Sequence, residues 1–343
     1  MPDGRFMKGR TMHDFSGKPL EHAVGMYLKD DLPAWGPAEQ ETEPIPQIPG
    51  ACACPASYPG KGLAEHPMLW VGEGDNRMFL IVDGRIRWVF HAGKGWEYDD
   101  VWMLTSGRIL FSHMYWAAEI TPDKRFSWYF KAPEGTEIHT LQPVGVHHAL
   151  MVLNSHPYPK ALFVNTGSGA VEWERPIPYP APSSVHGQFR RFRLTAEGTY
   201  LAPCLEAGIV LELDRDFREI WRYELPGCWA AVRLDNGNTL LTGEKEGVHR
   251  EVDRQGRTVW EIRLEDIPEE YSPAGSQSCC RLHNGNTILC SRGGEGKTPQ
   301  VIEVTPEHEI AWVLKDWEHL GPCTALQILD EPGIPEQPGA CFR

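Results

Sequence analysis

Six tryptophans close six copies of one short phrase, and the spacing of those copies leaves few folds open. Residues 81–88 read IVDGRIRW, 119–128 EITPDKRFSW and 164–173 VNTGSGAVEW. The phrase returns as ELDRDFREIW at 212–221, EVDRQGRTVW at 251–260 and EVTPEHEIAW at 303–312. Each copy is an apolar strand, a turn rich in Asp, Gly or Pro, and a second strand ending in Trp. The steps between the tryptophans are 40, 45, 48, 39 and 52 residues. A period of that length built from short strands and tight turns is the mark of a propeller, one four-stranded blade per repeat.

A second phrase lies between consecutive tryptophans: VRLDNGNTLLT at 232–242 and CRLHNGNTILC at 280–290, with looser copies WMLTSGRILFS at 102–112 and FRLTAEGTYLA at 192–202. Asn-Gly between two apolar runs predicts a hairpin through a type I′ turn, whose central residues both need positive φ. Each repeat thus supplies two hairpins, and the tryptophans, on the last strand, are expected in the core between blades. The ends of the chain are complementary. Residues 324–330 (TALQILD) form a spare inner strand, while residues 68–73 and 77–82 precede the first Trp without an inner partner. Pairing of the two closes a six-bladed, all-β ring with no open sheet edge.

The organisation that follows is an extension over 1–66, a propeller over 67–331 and a tail over 332–343. The extension includes a short amphipathic stretch at 18–28 that predicts a helix. Its acidic, Pro-rich run at 32–50 cannot be a central strand. With Trp35, Ile45 and Ile48 it is expected to pack as an arm on the propeller. The formal charge of -14 disfavours a phosphate-backbone partner, since nucleic-acid binders usually present a basic face. No apolar run is long enough to cross a membrane as a helix. The first residues lack the apolar stretch of a secretory signal, and nine cysteines without framework spacing read as mostly buried free thiols. A cytoplasmic protein is expected, or an exported one if a leader has been removed.

In a propeller the inner strands converge on one axis, and a ligand there meets one or two residues per blade. Aligning the repeats on their N-G-N-T-like turns puts Asp99, His139, Phe189, Trp229, Gln277 and Thr324 in one column. A second column, just past the second strand, holds His113 with Met114, then Asn154, Cys204, Glu244 and Arg292. Loops leading into inner strands add His186, Arg190 and Arg191. Histidines, arginines and carboxylates converging on a cavity are the materials of binding and of acid/base chemistry. The candidate catalytic residues are therefore His139, His186, Arg292 and Glu244. The candidate substrate-binding residues are Asp99, His113, Arg190, Trp229 and Gln277. No metal is expected, since no strand carries ligands at ligating spacing; a site assembled across blades from His113, His139 and His186 stays open. No cofactor is expected either.

The paired phrases resemble the repeats of the arylsulfotransferase-like propellers, related in pattern to other Trp-anchored, pyrroloquinoline-quinone-type propellers. That resemblance covers about residues 68–330. It implies a channel histidine that accepts a sulfuryl group from an aryl sulfate, with further His and Arg residues on the sulfate oxygens. The family's Ser-Arg pair matches Ser291-Arg292, but the segment opening that blade, residues 274–277, has no histidine. His186 opens a different blade, within His-Gly-Gln where the family has His-Asn-Ser, and that blade ends in Pro203-Cys204. Three functions remain for a small anionic, aryl or sugar-like ligand. One is sulfuryl transfer. Another is a glycan lyase or hydrolase with Asp99 and Glu244 as acid and base and Trp229 as stacking platform. The third is a non-enzymatic module binding a ligand or a protein.

Overall fold

The computed structural model describes residues 5–8, 11–14, 66–73, 77–82, 85–91, 97–180, 183–269, 271–275, 277–292, 296–317 and 320–343. Six antiparallel sheets of four strands form a closed ring. From axis to rim, the second blade runs Asp100–Met103, Ile109–His113, Trp116–Ile120 and Phe126–Lys131. The third begins at Glu137–Pro143, the fourth at the two-residue strand Arg193–Leu194, the fifth at Cys228–Arg233 and the sixth at Ser278–Arg281. The first blade is a composite. Ala325–Ile328 is its inner strand and lies antiparallel to Met68–Val71, with Leu326 opposite Trp70 and Gln327 opposite Leu69. The ring therefore closes as its two unmatched ends demand.

Apolar clusters fill every seam between neighbouring blades, two of them in the seam between the fifth and sixth. Trp70, Phe79 and Ile81 meet Ile288, Val301 and Trp312 across the closing seam, and Trp102, Leu110 and Trp128 meet Leu141, Met151 and Leu162 between the second and third blades. Of the phrase tryptophans, only Trp128 and Trp312 are core residues, each 1% exposed. Trp88, Trp173, Trp221 and Trp260 are half-buried on the outer strands. The indole N–H of Trp88 donates to Pro122 O of the next blade (2.8 Å), and that of Trp260 to Pro306 O (3.0 Å). An outermost strand has solvent on one side, so the ring covers the seam and keeps one edge wet.

The N-G-N-T turns are not type I′. At residues 234–238 Gly237 N–H donates to Leu234 O and Leu234 N–H to Asn238 O, with positive φ only at Gly237 (84°). This is a type I turn over Asp235 and Asn236 followed by a left-handed residue, the three-residue hairpin. The second Asn then has a purpose the turn rule does not supply. Asn238 donates to Glu251 (2.6 Å) and Asn286 to Glu303 (2.6 Å), each Glu lying opposite the phrase Trp of its blade. Arg281 of the next blade reaches back to Glu251 (2.8 Å), so the same carboxylate ties turn and seam together.

The axis is filled by charge. Asp100 and the arginines Arg191, Arg193 and Arg343 are all buried, and Arg193 forks onto both Asp100 oxygens at 2.7 and 3.1 Å. The second and fourth blades are not neighbours, so they can touch only across the axis. Arg343 brings the tail into the same hub, its guanidinium 4.1 Å from the Trp102 ring centre and 3.5 Å from Asp100. The tail is thus packed beneath the ring, with buried Glu336 accepting from Thr105 N–H and Oγ1. Of residues 1–66, only the hairpin Arg5–Lys8 with Thr11–Asp14, and His66, are described. The expected helix at 18–28 and the packed arm lie outside the described residues. The described cysteines, Cys204, Cys228, Cys279, Cys280, Cys290, Cys323 and Cys341, are free, and all but the last are buried. Among the described residues no helix is long and apolar enough to cross a membrane.

Candidate functional site

At the end of the axis where the inner strands begin, the ring gathers ionisable side chains from all six of its blades. His139, two residues into the third blade's inner strand, is wholly buried. Its Nδ1 lies 2.9 Å from Asp99 Oδ2 and 3.2 Å from Glu97 Oε1, and its Nε2 lies 2.7 Å from Glu137 Oε2. Burial and the Arg190 charge oppose a proton on this ring, but Asp99 and Glu137 outweigh them and raise its pKa to about 10. His139 is therefore an imidazolium with both nitrogens donating. It has no lone pair to offer a substrate, and it fixes carboxylates in place.

His186 is placed differently. It sits on the loop before the fourth blade, its side chain 50% exposed and its ring centre 5.1 Å from that of His139. Nδ1 is 3.0 Å from Glu137 Oε2, and Nε2 is 2.7 Å from Arg190 Nη2. A guanidinium can only donate, so Nε2 carries the lone pair and Nδ1 the proton. Glu137 thus receives both imidazoles. Burial alone would raise its carboxyl, but the two hydrogen bonds hold it down to about 2.

The loop carrying His186 is pinned from three directions. Ser184 N–H and Oγ donate to Glu206 at 2.8 and 2.6 Å. Gln188 exchanges hydrogen bonds with Ser155 N and O at 2.9 and 3.0 Å. Asn154, one of the aligned column, bonds Phe189 O and N at 3.2 and 3.3 Å, so its place in that column is structural. Gly187 allows the approach of Glu206, since a Cβ there would lie 2.0 Å from the Glu206 carboxyl carbon. Arg190 donates back to His186 O and stacks over Trp229 at 5.0 Å from the ring centre. Trp229 is 4% exposed, so it is a seat for Arg190 and not an open stacking platform.

Across the mouth, Glu73 completes the group. It forms a β-bridge with Glu97, and its Oε2 lies 3.5 Å from Gln277 Nε2 and 3.5 Å from Arg292 Nη1. Burial, with the charges of Asp99 and Glu97, raises the Glu73 pKa to about 7. Burial also raises the Asp99 carboxyl, with His139 opposing and Glu97 reinforcing it. Arg292, 56% exposed, reaches Glu244 Oε1 at 3.6 Å.

The structure thus brings His139, His186, Asp99, Arg190, Trp229, Gln277, Glu244 and Arg292 to one mouth. His113 is not among them. It is 1% exposed, stacked on Trp116 and edge-on to Tyr98 (both 4.7 Å), and burial lowers its pKa to about 4. A cross-blade group of possible metal ligands does form, but with Glu97 beside His139 and His186 in the place of His113. Glu73, Glu97 and Glu137 were not singled out from the sequence. Glu73 stands just past the second strand of the first blade, the same column as Glu244 and Arg292. It escapes an alignment that starts from inner strands, because this blade's inner strand comes from the other end of the chain. Glu137 and Glu97 each stand two residues before a column member, on the same side of the strand, and that period-two neighbour is the available signal.

A cavity of about 720 Å³ lies at the opposite end, under the tail, lined by Met103, Leu104, Ile109, Ile328, Leu329 and Phe342 among others. Its bordering arginines, Arg281 and Arg343, are already paired with Glu251 and Asp100. Volume and chemistry are at different ends, and reactive groups, not volume, mark the candidate site.

No protein-family profile matches the chain, and no curated protein matches it. Solved structures do. A protein of unknown function from Bacteroides caccae is 27% identical, with a TM-score of 0.69 over 76% of this chain and 97% of that one. A catalytically inactive His-to-Ala variant of virginiamycin B lyase from Staphylococcus aureus, solved with quinupristin, is 10% identical, with a TM-score of 0.53 over 76% and 88%. The Pan2 WD40 domain of Neurospora crassa is 12% identical, with a TM-score of 0.51 over 75% and 81%. The last two likenesses show the fold alone. The expected arylsulfotransferase-like family finds no support in these comparisons; the repeat phrases it rested on encode the propeller.

Proposed function

We propose that this protein is a lyase-type enzyme, and that His186 is its acid/base group at the axial mouth. The observation that carries the reading is the chain Glu137–His186–Arg190. The carboxylate holds the Nδ1 proton, and the Nε2 lone pair faces the guanidinium of Arg190, while the His186 side chain itself is 50% exposed. An acidic group on a substrate would draw Arg190 onto itself, as the stronger acceptor, and so bare Nε2 beside the ligand. Arg292, the more exposed cation, meets the same group from across the mouth.

The chemistry that suits this arrangement is removal of a proton from the carbon next to a carboxylate. His186 Nε2 takes that proton. The C–H electron pair becomes a carbon–carbon double bond as the bond from the β-carbon to its oxygen substituent breaks. The departing oxygen keeps its electron pair and receives the proton back from the imidazolium. Charge building on the substrate carboxylate meets Arg190 and Arg292, the stabilisation such a step requires. A uronic acid residue in a glycan has the necessary carboxylate, α-proton and β-oxygen. The virginiamycin B lyase variant offers support by analogy: a propeller with that name is inactive when a histidine becomes alanine.

Sulfuryl transfer suits the mouth less well. His139 has no free nitrogen to accept the group, and the segment 274–277 that opens the blade of Ser291-Arg292 has no histidine. The test is turnover of uronate-containing oligosaccharides, read from the ultraviolet absorbance of the new conjugated double bond, beside an aryl sulfate with a phenolic acceptor. Loss of His186 as general base should cost about 10²–10⁴-fold in His186→Ala. Turnover of the aryl sulfate alone would replace the lyase reading with the transferase. Binding without turnover would overturn it in favour of a binding module, and equal turnover by His186→Ala would remove His186 from the acid/base role.

A further inference from the structure

We infer that the same mouth is a divalent-cation site, formed by the carboxylates of Glu73, Glu97 and Asp99 with the side-chain carbonyl of Gln277, and that it takes an oxygen-preferring ion such as Ca²⁺ or Mn²⁺. One oxygen from each of the three carboxylates lies within 4.8 Å of the others. Two oxygens on opposite sides of a Ca²⁺ stand about 4.6–5.2 Å apart, and a smaller ion draws them slightly closer. That 4.8 Å upper bound lets all three oxygens belong to the shell of one ion.

The second observation is which buried atoms have no partner. Asp99 Oδ1 and Gln277 Oε1 are buried without a hydrogen bond, and Glu97 Oε1 has only its 3.2 Å ion pair with His139. Asp99 is 1% exposed and Gln277 0%, and the amide of Gln277 ends against Glu73. All three are acceptors, and they come from the inner-strand starts of two blades, the second and the sixth. A group of buried acceptors without a donor is costly unless a cation or water satisfies it. Backbone pairing adds to the cost, because Glu73 and Glu97 are β-bridge partners, and like charges directly opposite across strands are destabilising. The carboxylates of Glu73, Glu97, Asp99, Glu137 and Glu244 face only His139, Arg190 and Arg292 as fixed positive charges. With all of these ionised, the unbalanced charge is that of one divalent ion.

The alternative set, Glu97 with His139 and His186, is weaker. Both nitrogens of His139 are donating to carboxylates, and the lone pair on Nε2 of His186 is already held by the Arg190 guanidinium. Oxygen ligands alone select calcium, magnesium or manganese over the softer ions.

The experiment uses the full chain after treatment with chelator, titrated with CaCl₂ and with MnCl₂ by calorimetry, and with Mn²⁺ by electron paramagnetic resonance. One ion per chain is expected, with a rise in unfolding temperature at saturation. Glu97→Gln and Glu73→Gln should each bind at least about tenfold more weakly. In chelator both variants should unfold no lower than the wild type, because each removes one of two opposed charges. That separates a lost ligand from a damaged fold. Absence of binding to the wild type at millimolar ion, or equal binding by both variants, overturns the site. No substrate enters these measurements, so the ion site and the lyase reading stand or fall separately.

Discussion

His249 offers a quantitative test of how this propeller tolerates buried polarity. It lies on the third strand of the fifth blade, Val248–Val252, is 0% exposed, and neither ring nitrogen has a hydrogen-bond partner. Burial lowers its pKa from 6.5 to about 3. The unfolded chain therefore binds a proton as pH falls through 6.5, whereas the native chain does not until near 3. Native stability is lost over that window and is fully present above it. At pH 5.0 the protonated unfolded state is favoured by about 2 kcal/mol, and at pH 7.5 by only about 0.1 kcal/mol. His249→Leu, of similar volume, removes this one contribution and leaves every other titrating group in place. Urea unfolding of both proteins at the two pH values should show the variant gaining about 2 kcal/mol on the wild type between pH 7.5 and pH 5.0, with unchanged m-values. The variant should be no less stable at pH 7.5, since it also removes two unsatisfied buried nitrogens. A gap that does not change with pH would refute the reasoning, because it would mean that the imidazole is solvated or paired in the native state.

Two further outcomes follow from the axis and the seam. Asp100→Asn leaves Arg191, Arg193 and Arg343 buried around a neutral amide, and should cost about 3–5 kcal/mol in chemical denaturation; a loss below 1 kcal/mol would mean that the hub is hydrated. Removal of residues 324–343 strips the first blade of its inner strand and the hub of Arg343, so thermal unfolding should be lowered for the whole ring in one step; an unchanged transition would contradict closure by Ala325–Ile328.

The ring was legible because its repeat is local: each hairpin phrase sets its own strand pairs, and blade count follows from counting phrases. The columns read from those phrases also locate His139, Gln277, Glu244 and Arg292 at one end, since strand starts in register share an end. What the columns cannot give is side-chain direction or partnership. His113 shares a column with Glu244, yet its ring turns into the stack of Tyr98 and Trp116, a choice made by packing from a neighbouring strand. Trp229 looked like an open platform because nothing in its own blade reveals that Arg190, from the preceding blade, lies over it. The roles of His139 and His186 divide for a similar reason: both are histidines near strand starts, but only the three-dimensional count of carboxylates shows that one is saturated. The turn type was misjudged because Asn-Gly fits two hairpin geometries, and the Asn–Glu contacts that accompany the longer one are invisible in the turn itself.

The composite first blade also sets an order of events. During synthesis the strands at 68–91 emerge before the other five blades, yet the strand that covers their inner edge is made after all five. Until Ala325–Ile328 arrives, the row of backbone groups along Met68–Val71 that Ala325–Ile328 will pair with has no partner in its own sheet. Five blades can assemble from contacts within and between adjacent repeats, but the sixth must wait for the longest-range pairing in the ring, which is the slowest kind to form. The ring therefore reaches its closed state only after Ala325–Ile328 has been made. The interval before closure is when that bare edge is open to a second chain.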